Sequence, residues 1–232
     1  MIDFHTHILH GIDDGSKDIE TSLKMLKEEF KQGVTRVVLT PHFYASRNSF
    51  SGFLEERDRK FNELKERVKG EINLPKISLG AEVSYFSGIS NCEQLKALAI
   101  DNTNYLLLEM PFAKWDKDTV KDVLKIGENL GLTVVLAHIN RYFAHKNGKM
   151  IKLLAENGIN LQLNSECLFD KKMKKESYKL LSSGHISFIG SDCHNLENRA
   201  PNLVQLKDAL TQDFSQDVFN EINFSQQIIF ED

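Results

Sequence analysis

Short apolar, β-rich runs alternate with longer amphipathic stretches along this chain, and glycine marks several of the boundaries. Gly33 precedes VTRVVLT, Gly131 precedes LTVVLAH, Gly158 precedes INLQLNS and Gly184 precedes HISFIGS. Each glycine stands where a helix ends on a left-handed residue before a strand begins, which makes an αβ unit that recurs. Upstream of Gly33, Ile19, Leu23, Leu26 and Phe30 recur at helical spacing, with Ser16 or Asp18 available as N-cap, so that one face packs on a sheet. With MIDFHTH, KISLGAE and YLLLEMP added, strands are predicted near residues 2–7, 34–40, 76–82, 105–109, 133–138, 159–163 and 186–191. Alternating strands and helices imply a parallel α/β sheet with right-handed crossovers, and this number of units favours a closed barrel over an open sheet. A doubly wound nucleotide-binding sheet would carry a glycine-rich loop after its first strand. HTHILHGIDDG has no such pattern.

Composition narrows the class without changing the fold. At 232 residues, 41% hydrophobic and 27% charged, the chain suits one domain spanning residues 1–232. The net charge of −4 gives no basic excess for nucleic acid or an anionic membrane, and the densest basic run, KKMKK at 171–175, reads as a solvated helix face. Neither a signal segment nor an apolar stretch of spanning length is present. Cys92, Cys167 and Cys193, odd in number and widely spaced, fit a reducing compartment, so a cytoplasmic protein is expected.

The chemistry lies at the strand ends. His5 and His7 fall on the first predicted strand, His42 follows the second, Glu82 ends the third, Glu109 the fourth, His138 the fifth, and Asp192 and His194 the last. Parallel barrels build active sites at the C-terminal ends of their strands, so these residues would converge on one mouth, with Asp14 of the first loop able to join them. Each signal alone has a blander reading: a strand-end His or Glu is usually a hydrogen-bonded structural group, and GIDDG suits a turn. Their shared placement favours a metal site, because structural groups would scatter over both ends. Five histidines and four carboxylates without a Cys ligand point to N/O-ligated manganese, iron or catalytic zinc. They are too many for one ion. Two or three divalent ions would use them, and three, set against the four carboxylates, would leave the site net positive and suited to a dianionic phosphate ester.

These residues resemble the motifs of the PHP (polymerase and histidinol phosphatase) superfamily: His5-Thr6-His7, Thr40-Pro41-His42, Gly80-Ala81-Glu82, Ala137 to Arg141 and Ser191 to Asn195. Within it, GIDDG, AHINR and SDCHN followed by Arg199 look like the bacterial metal-dependent protein-tyrosine phosphatases of capsule and exopolysaccharide clusters, the CpsB/YwqE type. The resemblance spans nearly the whole chain and implies a distorted (β/α)7 barrel, TIM-like in plan, with three divalent ions, Mn2+ favoured. It implies His5, His7, Glu82 and Asp192 at the first ion, Glu82, Glu109 and His138 at the second, and Asp14, His42 and His194 at the third. It further implies a phosphotyrosine protein as partner, the tyrosine-rich tail of an autophosphorylated bacterial tyrosine kinase. One position departs: relatives commonly carry Glu before the arginine of the fifth motif, where this chain has Asn140.

Arg141 and Arg199 are the candidates for holding phosphate oxygens, a role suited to the guanidinium fork, against the blander reading of surface ion pairs. SDCHNLENR also contains Cys193 and Arg199 at the C-x5-R spacing of cysteine phosphatases. That mechanism needs backbone N–H groups curled around phosphate, and HNLENR has no glycine to permit the curl and places Glu197 beside the anion. Cys193 should face away from Asp192 and His194. Two rival functions remain: a histidinol-phosphatase-like enzyme for small phosphomonoesters, with Phe43, Tyr44 and Phe50 of FYASRNSF placed either to meet an aromatic ring or to pack, and a non-catalytic metal-binding subunit that docks a kinase.

Overall fold

The computed structural model describes residues 1–101, 103–168 and 171–230, with the side chain of Lys172 outside that set. In chain order the elements are β1 Ile2–Thr6, α1 Ile19–Lys31, β2 Arg36–Leu39, β3 His42–Phe43, α2 Phe50–Val68, β4 Lys76–Leu79, β5 Glu82–Ser84 and β6 Tyr105–Glu109. There follow α3 Lys117–Leu130, β7 Thr133–Leu136, α4 Gly148–Glu156, β8 Asn160–Asn164, α5 Lys171–Ser182, β9 Ile186–Gly190, α6 Leu203–Asp213 and α7 Gln216–Ile228. The four boundary glycines hold φ of 83°, 71°, 84° and 69°, the left-handed conformation their positions require. Of the two candidate caps for α1, Asp18 serves: its carboxylate accepts from Thr21 N at 2.8 Å. The buried face of α1 centres on Ser22, Met25, Leu26 and Glu29, which puts Phe30 at its edge, 39% exposed rather than packed. In the basic run, Lys174 pairs with Asp213 at 2.8 Å while Lys171 and Lys175 are exposed.

All strand pairs are parallel, in a three-stranded sheet β1-β2-β4 and a six-stranded sheet β3-β5-β6-β7-β8-β9. The two sheets are continuous through their chains. Register runs unchanged across the break at Thr40-Pro41, with Leu39 opposite Leu79 before it and His42 opposite Glu82 after it. Thr40 N donates to Thr6 O and Glu82 N donates to Pro41 O, so β2 with β3, and β4 with β5, each act as one strand. The predicted second and third strands therefore exist, each in two pieces.

No continuous ladder joins β1 to β9. At the upper end of that seam Asp192 N donates to His5 O at 2.8 Å and His7 N donates to Cys193 O at 2.9 Å. Lower down a side chain stands in for the ladder: the buried amide of Gln226, on α7, donates to Ile2 O at 3.0 Å and accepts from Ile189 N at 3.2 Å. The architecture is a distorted seven-unit α/β ring of the TIM-like kind.

Alternation divides the strands between two cores. Outward residues such as Val37, Leu106, Val134, Leu161 and Ile189 pack in the large cluster they share with the helices. Inward residues Phe4, Val38, Leu107, Val135 and Phe188 form a separate apolar plug, with the Phe4 and Phe188 rings 4.4 Å apart. One strand breaks the alternation. The β1–β2 register shifts between Asp3 and Thr6, and this bulge lets Phe4 join the plug while His5, next in sequence, also faces inward above it. Gly190 makes room for it: a Cβ there would lie 2.7 Å from His5 Cβ.

Candidate metal centre

Above the plug the inward positions turn polar, and the nine candidate metal ligands that the sequence singled out meet there. His5 Nε2 and His7 Nε2 are 3.1 Å apart, both within 3.6 Å of Asp192 Oδ1 and within 3.3 Å of Glu82 Oε2. Glu82 is central. Its Oε1 lies 2.8 Å from His138 Nε2 and its Oε2 lies 2.9 Å from His42 Nδ1. Glu109 Oε1 is 3.4 Å from His138 Nε2, and Asp14 Oδ1 is 3.7 Å from His42 Nε2 and 3.5 Å from His194 Nε2. Three sets of donor atoms each lie within 4.8 Å of one another: His5, His7 and Asp192; His42, Glu82 and Glu109; His7, His42 and His194.

The environment fixes which nitrogen of each ring faces inward. His7 Nδ1 donates to Asp13 Oδ2 at 2.7 Å, leaving Nε2 toward Glu82 and Asp192. His5 Nδ1 faces Gln162 Oε1 at 3.2 Å; that oxygen already accepts from His138 N, so the His5 proton sits on Nδ1 and Nε2 is the free donor. His194 Nδ1 donates to Asp192 O at 2.9 Å, and its Nε2 has no hydrogen-bond partner within the protein. His138 and Asp192 adopt left-handed backbone, φ 33° and 54°, at the ends of β7 and of the segment after β9; such conformations cost about 1–3 kcal/mol and persist only where surroundings impose them.

Electrostatics hold the donors ionised. Burial alone would neutralise Glu82 and Asp192, yet His5 with His138 and His42 hold Glu82 well below the carboxylate range, and His5 with His7 and Arg141 do the same for Asp192. Burial opposes charge on His138, but Glu109 and Glu82 raise it to about 9. Burial also opposes charge on His7, and Asp13 overrides it while itself falling to about 2. His194 goes the other way, to about 4, through burial and the neighbouring His7.

The donor set fits divalent metal. His42 Nδ1 and Glu82 Oε2 are close but not aligned as a hydrogen bond, and with His194 Nε2 they are buried polar atoms that no protein partner satisfies. Imidazole and carboxylate donors without thiolate suit manganese, iron or catalytic zinc.

Several residues that matter here escaped the sequence. Asp13, not its neighbour Asp14, orients His7, and its Oδ2 also accepts from His42 N at 3.0 Å. β8 supplies no donor of the cluster, but its inward Gln162 and Asn164 are fully buried, and Asn164 Nδ2 donates to Asp192 Oδ2 at 3.0 Å. The signal was present as polar residues alternating in LQLN, where a barrel interior should be apolar. Glu166 is the fourth: Arg141 donates to it through Nε at 2.5 Å and NH2 at 2.9 Å, and Asn140 Nδ2 donates to it at 2.9 Å. Asn140, where the sequence departs from the motif it resembles, is thus an amide that donates to a carboxylate from the next unit.

Both arginines reach the cluster by the oxygen of Asp192 turned away from His5 and His7. Arg141 NH2 lies 2.5 Å and Arg199 NH2 3.0 Å from Oδ2, and Arg199 NH1 lies 3.7 Å from Asp14. Cys193 points elsewhere. It is fully buried with Sγ 3.5 Å from Glu29 Oε1, and burial with Glu29 and Asp3 pushes its thiol well above the ordinary range. The loop N–H groups are spent internally: His194 N donates to Arg199 O, and Glu197 N and Arg199 N donate to Asn195 Oδ1. A cysteine-phosphatase loop is absent from SDCHNLENR.

Comparisons with known proteins identify the family and the fold. The family model described as capsular polysaccharide synthesis, CpsB/CapC, matches residues 1–229. The tyrosine-protein phosphatase CpsB of Streptococcus agalactiae is 30% identical over 232 residues, covering 96% of this chain and 94% of that protein. The tyrosine-protein phosphatase YwqE of Bacillus subtilis is 28% identical over 209 residues, covering 86% and 79%. Among solved structures, one from the study of YwqE from Bacillus subtilis and CpsB from Streptococcus pneumoniae, described as metal-dependent tyrosine phosphatases, shares the fold with TM-score 0.86 at 24% identity, covering 99% and 94%. The histidinol phosphate phosphatase of Lactococcus lactis shares it more loosely, with TM-score 0.60 at 15% identity over 95% and 93%.

Proposed function

The chain belongs to the CpsB/CapC capsular polysaccharide synthesis family, and on that premise we propose that it is a metal-dependent protein-tyrosine phosphatase, a phosphoric monoester hydrolase. The observation that carries the reading is the convergence of three sets of buried donors that share His7 and His42, with two guanidiniums on the outer oxygen of Asp192. We propose three divalent ions, Mn2+ favoured, held by His5, His7, Glu82 and Asp192, by Glu82, Glu109 and His138, and by Asp14, His42 and His194. When bound, such ions supply Lewis-acid polarisation of the phosphate and a hydroxide nucleophile near neutral pH.

The chain's own residues do the rest. Asp13, Gln162 and the Asp192 carbonyl keep His7, His5 and His194 in the tautomers that face the cluster. Glu166 grips Arg141 from behind by a two-point contact, so the guanidinium can exchange its bond to Asp192 for phosphate oxygens without losing its aim. Arg199 approaches from the Asp14 side. Both offset the charge that gathers on phosphate oxygens as the ester bond breaks. A tyrosine leaves as phenolate, pKa about 10, so the reaction makes little demand on a general acid.

For substrate we favour phosphotyrosine in the tail of an autophosphorylated bacterial tyrosine kinase of capsule or exopolysaccharide synthesis, met in the cytoplasm, where Cys92, Cys167 and Cys193 stay as thiols. Among the described residues no helix is long and apolar enough to cross a membrane. The test compares hydrolysis of phosphotyrosine peptides and of histidinol phosphate by one manganese-loaded preparation of measured metal content. Preference for the peptides is expected; faster turnover of histidinol phosphate would move the assignment to a small-molecule phosphatase.

A further inference from the structure

Two histidines that flank Glu82 each carry an aromatic ring on their outer side. Tyr44 lies against His42, centroids 5.2 Å apart, with the Arg47 guanidinium 5.0 Å from its ring. Phe112 stacks on His138, centroids 5.7 Å apart and planes at 23°. His42 and His138 contact the two opposite oxygens of the same carboxylate.

Phe112 is an unusual ring to leave in water. It is 49% exposed, yet its other contacts are rigid: Tyr142 stacks on it at 5.6 Å, and Trp115 packs edge-on to Tyr142 at 5.0 Å. Tyr142 is itself fixed, its hydroxyl accepting from Met110 N at 2.8 Å. Phe112 is thus the open end of a buried aromatic column that stops at the metal cluster. Among the described residues the other exposed phenylalanines, Phe30 and Phe224, lie on helices α1 and α7, away from the site. Tyr44 in turn forms one wall of a cleft of about 380 Å³ shared with Asp14, His42 and Arg47. The loop's other aromatics do not compete for this role: Phe43 is fully buried and packs on Phe50 and Phe53.

We propose that Tyr44 and Phe112 form the two walls that receive the aryl ring of the substrate and make the site selective for aryl over alkyl phosphate esters. The inference deepens the phosphatase reading and rests on it. The cluster holds the phosphate, whatever the ester; a flat apolar leaving group, and not a charged or flexible one, gains from rings already held in place. Aromatic pairs add about 0.5–1.5 kcal/mol beyond the area they bury, and little ordering entropy is lost when the protein's ring is immobile beforehand.

The test is calorimetric titration of manganese-loaded protein with phenylphosphonate, methylphosphonate and inorganic phosphate, with metal content measured on each variant. Phe112→Ala and Tyr44→Leu should each weaken phenylphosphonate about five- to tenfold while methylphosphonate and phosphate change less than about twofold, and Phe112→Tyr should restore the preference. Phenylphosphonate unaffected by either variant, or all three ligands weakened together at full metal content, overturns the proposal. Turnover of a phosphotyrosine peptide by the unaltered protein is measured in parallel. An aryl preference that depends on Phe112, in a protein that leaves phosphotyrosine untouched, would retain the walls and reject the assigned substrate.

Discussion

The lower and upper halves of the barrel interior are built by the same strands and obey opposite rules. Below, Phe4, Val38, Leu107, Val135 and Phe188 make a dry plug; above, on the same inward face, stand His5, Glu82, Glu109, His138 and Gln162. A single residue of β6, Leu108, separates Leu107 of the plug from Glu109 of the cluster. The lower half gains free energy by excluding water, about 1.5–3 kcal/mol for each large apolar side chain. The upper half buries polar groups at a cost, part of which stays uncompensated in the unsatisfied atoms of His42, Glu82 and His194. One layer holds the strands at a fixed radius and the other uses that radius to bring distant donors within reach.

The sharpest way to break this division is to alter one residue in each layer. Glu82→Gln, in the upper layer, should lower phosphatase activity by about 10^3-fold or more and deplete bound manganese, since Glu82 touches four histidines, with a much smaller change in metal-free unfolding. Elemental analysis beside an aryl phosphate assay measures it; full activity after chelation of the unaltered protein would remove the metal mechanism altogether. Phe188→Ala, in the plug, should cost about 3–5 kcal/mol in urea unfolding and leave activity per folded, metal-loaded molecule within about threefold.

Arg141→Ala tests where the upper layer ends. Turnover should fall about 10^2-fold while most metal is retained, because the Asp192 oxygen nearest His5 and His7 is not the one Arg141 holds. Stoichiometric loss of metal would make Arg141 a support for Asp192 and not a ligand for phosphate.

Behind the cluster lies a third, smaller environment, the buried carboxyl pair of Glu29 and Asp3 beside Cys193. Burial, then Asp3, raises Glu29 well above its ordinary 4.5. A carboxyl group raised in the folded state contributes its full stability below the unfolded value and loses it as pH climbs toward the folded one. Glu29→Gln should therefore flatten the decline in unfolding free energy from about pH 5 upward, as followed by urea titration across that range. Smallest of all is Cys193→Ser, expected within about twofold of normal turnover and still sensitive to chelator, as the thiol points to Glu29 and away from the donors. An inactive Cys193→Ser that keeps its full metal would restore a cysteine nucleophile.

What the sequence displayed of this arrangement depended on periodicity and punctuation. Strands were legible because glycine and β-branched runs mark them locally, and the donors were legible because they sit at strand ends, where barrel topology alone predicts convergence. Local pattern could not say which of Asp13 and Asp14 would turn inward, since that follows from Asp13 meeting His7 and the His42 amide, residues it reaches only after folding. Glu166 lay hidden for the same reason: its partner Arg141 is in another unit. Phe43 and Phe112 show the limit from the other side. Both are phenylalanines just past a strand that the sequence predicts, and only packing buries one on α2 and leaves the other at the mouth.

The Gln226 staple sets an order of events during synthesis. His5 is made well before its partners: its carbonyl awaits Asp192 N, and the strand below awaits an amide that α7 delivers later still. Until then β1 has a partner on one side only, and donors from the earlier strands face a gap where Asp192 and His194 belong. Closing so long a loop is slow compared with pairing neighbouring units. A nascent chain should therefore acquire high-affinity metal binding as a single event, only after α7 has left the ribosome.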